Sequence, residues 1–416
     1  MSDDEKVKLL AARGIVDVDT GDVVEHGYLR VEGNQIAAIG TDRSVGSDAD
    51  ETIELPDLTL IPGMMDMEVD LVLGGPGAGL TDPVVTDPVK MALRATANAA
   101  RTLRAGFTTV RNLGLFVKTG GYLLDVALSE AIEAGWAVGP RVVPAGHAIC
   151  PTGGHLDPSA QSGLAPHLMP LSVEEGIADG VPEVRKAVRY QIKHGAQLIK
   201  CCASGGVISS LGPPGAQQYS DEELAAIADE AHRRGLRVAA HCHGDTAVNA
   251  CIDAGIDCIE HGFMITDDTV QRLVDTGTFL VSTNALTENW DVSRHPPAMQ
   301  AKAARVFPEA RASLSRAIEA GVKIATGSDA PAVWHGRNAE ELVVLVQRGM
   351  TPLGAIRAAT VVGADLIERP DLGRLAPGML ADVVGVRGNP LDDITAVQRV
   401  AFVMKDGIVH KASSAT

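Results

Sequence analysis

Arg237-Val238-Ala239-Ala240-His241 and Cys258-Ile259-Glu260-His261 are two short apolar runs, each closing on a histidine and separated by enough chain for one helix. Runs of this kind recur through the middle of the chain: Phe107-Thr108-Thr109-Val110, Ala196-Gln197-Leu198-Ile199-Lys200, Thr278-Phe279-Leu280-Val281 and Val322-Lys323-Ile324-Ala325. Continuous apolar runs bounded by helical stretches read as strands buried on both faces, and strands that alternate with helices form parallel sheets. One intervening helix is legible in its entry, where Ser220 takes the N-cap position and Glu223 completes a capping box before the stretch Asp221 to Arg234. So many strand–helix units in one chain predict a closed barrel rather than an open sheet.

The two ends differ in texture. Gly14-Ile15-Val16-Asp17-Val18, Gly27-Tyr28-Leu29-Arg30-Val31 and Gln35-Ile36-Ala37-Ala38-Ile39-Gly40 are short, β-like and punctuated by Gly, Asp and Asn. The same texture returns in Ala381-Asp382-Val383-Val384-Gly385-Val386, Ala401-Phe402-Val403-Met404 and Asp406-Gly407-Ile408-Val409. The prediction is an α/β protein: a (β/α)8 TIM-type barrel over 61–375, with a small β-sandwich-like domain built from 1–60 and 376–416.

The chain's 416 residues and 45% apolar content suffice for a large core. A net charge of −17 without a basic cluster argues against nucleic acid or an anionic membrane as partner and favours a small molecule. The acidic start Met1-Ser2-Asp3-Asp4-Glu5 does not resemble a signal peptide, no apolar run reaches spanning length, and the expected location is cytoplasmic. Six cysteines (Cys150, Cys201, Cys202, Cys242, Cys251 and Cys258) lack the spacing of a disulfide framework or a zinc ribbon.

Polar side chains suited to binding metal stand just after the apolar runs: Glu68 and Asp70, Lys200, His241, His261 and Asp329. Parallel barrel strands all open on one face, so these residues converge there although they are distant in sequence. Singly, each is more often a hydrogen-bonded structural residue than a ligand.

Together with Leu60-Ile61-Pro62-Gly63-Met64-Met65-Asp66, Ala203-Ser204-Gly205-Gly206, Thr326-Gly327-Ser328-Asp329-Ala330 and Arg374-Leu375-Ala376-Pro377-Gly378-Met379, they make the chain resemble the amidohydrolase superfamily over nearly its whole length. The resemblance implies a hydrolase in which Lys200 is carbamylated and bridges two divalent ions, most simply Zn²⁺. His241 and His261 are then ligands, and Asp329 is both ligand and proton shuttle. Gly146 to His155, Gln218 to Leu224 and His335 to Leu342 resemble the branch of Xaa-Arg and Xaa-Pro carboxypeptidases, ochratoxinase-like amidases and the phenylurea and molinate hydrolases. That branch implies release of a C-terminal amino acid, leucine for example, from an acyl or peptidyl small molecule by a homo-oligomeric enzyme. It further implies that His155 polarises the scissile carbonyl and Tyr219 contacts the carboxylate, with His243 and Arg337 as further substrate contacts. Tailoring amidohydrolases of bipyridine-antibiotic pathways belong to the same type. A deaminase, a cyclic-imide or urea hydrolase, and a non-catalytic metal-binding homologue are the rival readings.

One departure stands out. The family motif Asp-x-His-x-His is replaced by Asp66-Met67-Glu68-Val69-Asp70, and strand alternation keeps Glu68 and Asp70 on one side. The site is then mononuclear, binuclear with harder ions such as Mn²⁺, or trinuclear. Two divalent ions with a carbamate, Asp329 and hydroxide sum to about +1, and the acidic pair takes this to about −1, so a third ion restores about +1. His155, Cys202 and His243 are the candidate extra ligands.

Overall fold

The computed structural model describes residues 6–75, 78, 81–162, 170–209 and 212–412; the acidic start Met1 to Glu5 lies outside them. Five parallel strands, Ile199–Cys202, Val238–Cys242, Cys258–His261, Phe279–Ser282 and Ile324–Thr326, pair in sequence order and are buried throughout. Each carries one of the apolar runs, because a strand covered on both faces has no position for a solvated side chain. A second group, Met64–Val69, Phe107–Asn112 and Arg141–Pro144, continues the order. Parallel bridges Ile149↔Cys201 and Val69↔Ala330 join the two groups at both edges, which closes the ring of eight strands expected for the barrel.

The helix Asp221–His232 shows how local sequence sets these units. The Ser220 side chain accepts the Glu223 amide, and the Glu223 carboxylate accepts the Ser220 amide, so two donors of the first turn are satisfied. Leu224, Ile227, Ala228 and Ala231 form its buried face. Among the described residues no helix is long and apolar enough to cross a membrane, and all six cysteines are free and buried.

The chain ends build one eight-stranded sheet. Val7–Val16 lies at its centre, antiparallel to Tyr28–Glu32 and parallel to Glu51–Pro62, while Val383–Arg387 pairs antiparallel with Glu51–Pro62. Leu10, Leu29, Val31, Ile36, Leu60, Val383, Phe402 and Met404 form its apolar core.

The chain divides into one compact unit of Met1–Asp66, Ala100–Val110 and Gly336–Thr416, and a second of Met67–Ala99 and Arg111–His335. Residues 61–66, 100–110 and 336–375 therefore group with the ends and not with the rest of the barrel. Backbone hydrogen bonds account for this: Gly63 N donates to Asp382 O, Met64 N to Gly106 O and Met65 N to Ala359 O.

Candidate active site

Strand ends deliver the polar residues to one cavity of about 220 Å³, lined by Glu68, Asp70, His155, Lys200, His241, His243, His261 and Asp329. The apolar side chains of Val207, Ile208, Phe263, Leu286 and Trp290 line the same cavity and pack as one cluster. The four imidazoles form one cluster. His155 stacks on His241 with centroids 4.2 Å apart, and His241 lies 4.7 Å from His243 and 4.8 Å from His261. His243 is stacked on Phe263 at 4.8 Å. Gly206 makes room for this arrangement, since a Cβ there would stand 2.3 Å from the His155 ring.

Burial decides the charge state of these rings. It drives His155 and His243 down to about 3 and lowers His241 and His261 far below the ordinary histidine value. Neutral imidazole is the form that ligates a metal. His261 Nδ1 shares a 2.8 Å hydrogen bond with Thr283 Oγ1, which fixes the ring and turns Nε2 toward the Glu68 carboxylate, 3.4 Å away. His241 Nε2 and His243 Nδ1 are buried without a hydrogen-bond partner.

The acidic pair is held in two ways. Asp70 Oδ1 accepts the amides of Val72 and Leu73 in a tight local turn, while Oδ2 is buried and makes no hydrogen bond. Burial raises its carboxyl to about 7 against the pull of those amides. Glu68 Oε1 accepts from Lys200 Nζ at 3.1 Å. Burial drives the Glu68 carboxyl upward and Lys200 opposes it, whereas the Lys200 ammonium, disfavoured by burial, is held above its usual value by Glu68 and Glu260.

The first and eighth strands are laced together here: Asp329 N donates to Glu68 O at 2.9 Å and Asp70 N to Ala330 O at 2.6 Å. A Cβ on Gly327 would lie 2.8 Å from that of Glu68, so glycine is needed for this approach. Asp329 and His261 both adopt left-handed backbone, with φ of 52° and 70°. Such non-glycine positions cost about 1–3 kcal/mol each and gather at functional sites.

Among the described residues no three His, Cys, Asp or Glu side chains close on one point as a preformed cage. The donors nonetheless suit a divalent cation, because neutral imidazoles and buried carboxylates face one cavity and Asp70 Oδ2, His241 Nε2 and His243 Nδ1 have no hydrogen bond there.

Two expected substrate contacts are placed elsewhere. The Tyr219 hydroxyl is buried and donates to Ala178 O at 2.9 Å, and Arg337 pairs with Glu340 at 2.5 Å; neither lines the cavity. Tyr219 stands one residue before the N-cap of its helix, so the helix entry fixes where its ring goes. Cys202 also turns from the cavity, its thiol donating to Ser204 O at 3.4 Å. Sequence reading missed Thr283, Phe263 and Trp290; Thr283 carried a signal, since it directly follows the strand Phe279–Ser282.

The comparisons agree with this architecture. The Amidohydrolase family profile matches residues 59–409. Ochratoxinase of Aspergillus niger is 33% identical over 437 residues, spanning 99% of this chain and 88% of that protein. A crystal structure of a Xaa-Pro dipeptidase with methionine bound in its active site superposes with TM-score 0.90 at 34% identity, covering 98% of this chain and 100% of that one. A prolidase complexed with N-methylphosphonate-L-proline gives TM-score 0.87 at 30% identity, with coverage of 98% and 100%. This chain belongs to the amidohydrolase family and is an amide-hydrolysing enzyme of that family.

Proposed function

We propose that the enzyme is metal-dependent and releases the C-terminal amino acid from an N-acyl or peptidyl small molecule. The observation that carries this reading is the cavity itself, which buried imidazoles, carboxylates and an apolar cluster line together. Divalent cations held there supply Lewis acidity, polarising a carbonyl and bringing the pKa of water toward neutrality.

The chain's own residues do the rest. Asp329, half-buried at the end of the eighth strand, accepts the proton of the attacking water and returns it to the departing amine. His155, neutral and braced between His241 and Gly206, donates to the scissile carbonyl oxygen as charge develops on it. Val207, Ile208, Phe263, Leu286 and Trp290 take the apolar part of the substrate and exclude water.

Glu68 and Asp70 take the places of the family's two histidines and bring negative charge that favours two or three cations. Lys200 is held as an ammonium by Glu68, and an ammonium does not add carbon dioxide. Addition of carbon dioxide to Lys200 would require the neutral amine, which the Glu68 carboxylate disfavours in this pairing. The prolidase and dipeptidase relatives favour amino-acid release over deamination.

The test is elemental mass spectrometry on protein purified without chelator, alongside separate assays of amino-acid and ammonia release from N-acyl-leucine, N-acyl-methionine and N-acyl-proline. Two or three metal ions per chain in the wild type, fewer after Glu68→Ala or Asp70→Ala, with amino acid as product, are the expected results. Ammonia as the product, or a metal content indifferent to both substitutions, would sink the proposal.

A further inference from the structure

Below the ligand-bearing strand ends lies a buried ion pair that the proposed chemistry does not use. Arg111, on the strand Phe107–Asn112, is 3% exposed, and its Nη2 donates to Glu260 Oε1 at 2.7 Å; Glu260 is fully buried. The same guanidinium donates through Nε to the backbone carbonyl of Met67 at 2.7 Å. The Cys258 thiol adds a further donor to Glu260 Oε1, at 2.9 Å.

The positions of the two acceptors matter more than the bonds themselves. Met67 immediately precedes Glu68, and Glu260 immediately precedes His261. Glu68 and His261 belong to the first and sixth strands, which are not neighbours in the ring, yet their side chains meet at 3.4 Å. No single backbone ladder joins these two strands directly, so a side chain inside the barrel that bonds to both adds a direct tie between them. Arg111 is suited to that: a planar fork has separate donors in fixed relative directions, which a lysine lacks. Arg111 pairs with Glu260 and Lys200 with Glu68, so neither cation is buried without a carboxylate beside it.

We infer that Arg111 is a positioning residue which, by gripping Met67 O and the Glu260 carboxylate together, sets the approach of Glu68 to His261. Its effect on turnover rests on the function proposed above, whereas its effect on geometry does not.

Removing one member alone leaves a buried uncompensated charge, so the informative variant is Arg111→Met with Glu260→Leu, in which both charges go and apolar volume replaces them. A second variant, Arg111→Lys, keeps the ion pair and loses the two-way grip. Each is to be crystallised without added metal and assayed for kcat, KM and thermal unfolding. The expected result for both is a folded protein in which Glu68 has moved off His261, with kcat down roughly tenfold or more and KM changed by less than about threefold.

A crystal structure of either variant retaining the 3.4 Å approach, with kcat within about twofold of wild type, would overturn the inference. Failure of the double variant to fold leaves Arg111→Lys to decide by the same two readings. A wild type that neither binds metal nor releases amino acid refutes the proposed function, and the Glu68 to His261 distance in the variants then decides the positioning role by itself.

Discussion

The terminal sheet and the barrel mouth are built on opposite terms. In the sheet, Leu10, Leu29, Val31, Leu60 and Phe402 are buried against one another between backbone ladders that a few bulges interrupt. At the mouth, carboxylates, imidazoles and an ammonium are buried together, two non-glycine residues hold left-handed backbone, and Asp70 Oδ2, His241 Nε2 and His243 Nδ1 make no hydrogen bond. The sheet departs from local rules mainly at its turns, where His26 and Asp406 also hold left-handed backbone, whereas at the mouth the departures gather around one cavity, as strained and polar features do at functional sites.

That contrast fails or sharpens under substitution. Asp329→Asn should lower kcat about a thousandfold while leaving the unfolding temperature within a few degrees of wild type. Near-normal turnover in that variant would remove Asp329 from the proton path. Phe402→Ala, in the core of the sheet, should do the reverse: a loss of about 3–5 kcal/mol in urea unfolding, with kcat per folded molecule unchanged. If Phe402→Ala altered kcat as strongly as Asp329→Asn, the division of labour would be wrong.

Protonation sharpens the comparison further, in protein stripped of metal by chelator. The Asp70 carboxyl is raised by burial to about 7, so its stabilising contribution is complete below the ordinary value of 3.8 and is lost as pH rises through 7. By pH 7 the loss amounts to about 4 kcal/mol, and Asp70→Asn should recover much of it. His155 and His243 are lowered to about 3, so their contribution is present above the ordinary 6.5 and is lost as pH falls toward 3. At pH 5 each costs about 2 kcal/mol. Unfolding temperatures followed from pH 8 to 5 in wild type and Asp70→Asn check both signs; identical curves would contradict the burial argument. The smallest effect belongs to the helix entry, where Ser220→Ala should cost about 1 kcal/mol and leave metal content untouched.

Much of the site was readable because the chemistry of a parallel barrel is written at its strand ends. Glu68, Lys200, His241, His261 and Asp329 each follow or close an apolar run, and the structure brings all five to one cavity. Tyr219 and Arg337 do not line that cavity. Neither closes a barrel strand, and their directions depend on an acceptor at Ala178 and a carboxylate at Glu340. Hydrogen bonds from Gly63, Met64 and Met65 to distant carbonyls likewise tie those residues to the terminal unit, which no local pattern announces.

The amino-acid sequence by itself determined the alternation of strands and helices, the capped entry at Ser220 and the replacement of two histidines by Glu68 and Asp70. These are local patterns, or residue identities at fixed offsets, and they need no knowledge of what lies across the molecule. Only the tertiary structure decided that Lys200 pairs with Glu68, that Thr283 orients His261, and that Arg111 joins Met67 to Glu260. A buried polar atom bonds to whatever packing brings within about 3 Å. Arg111 and Glu260 are 149 residues apart in the chain, so that choice is made by the closing of the barrel and by nothing local.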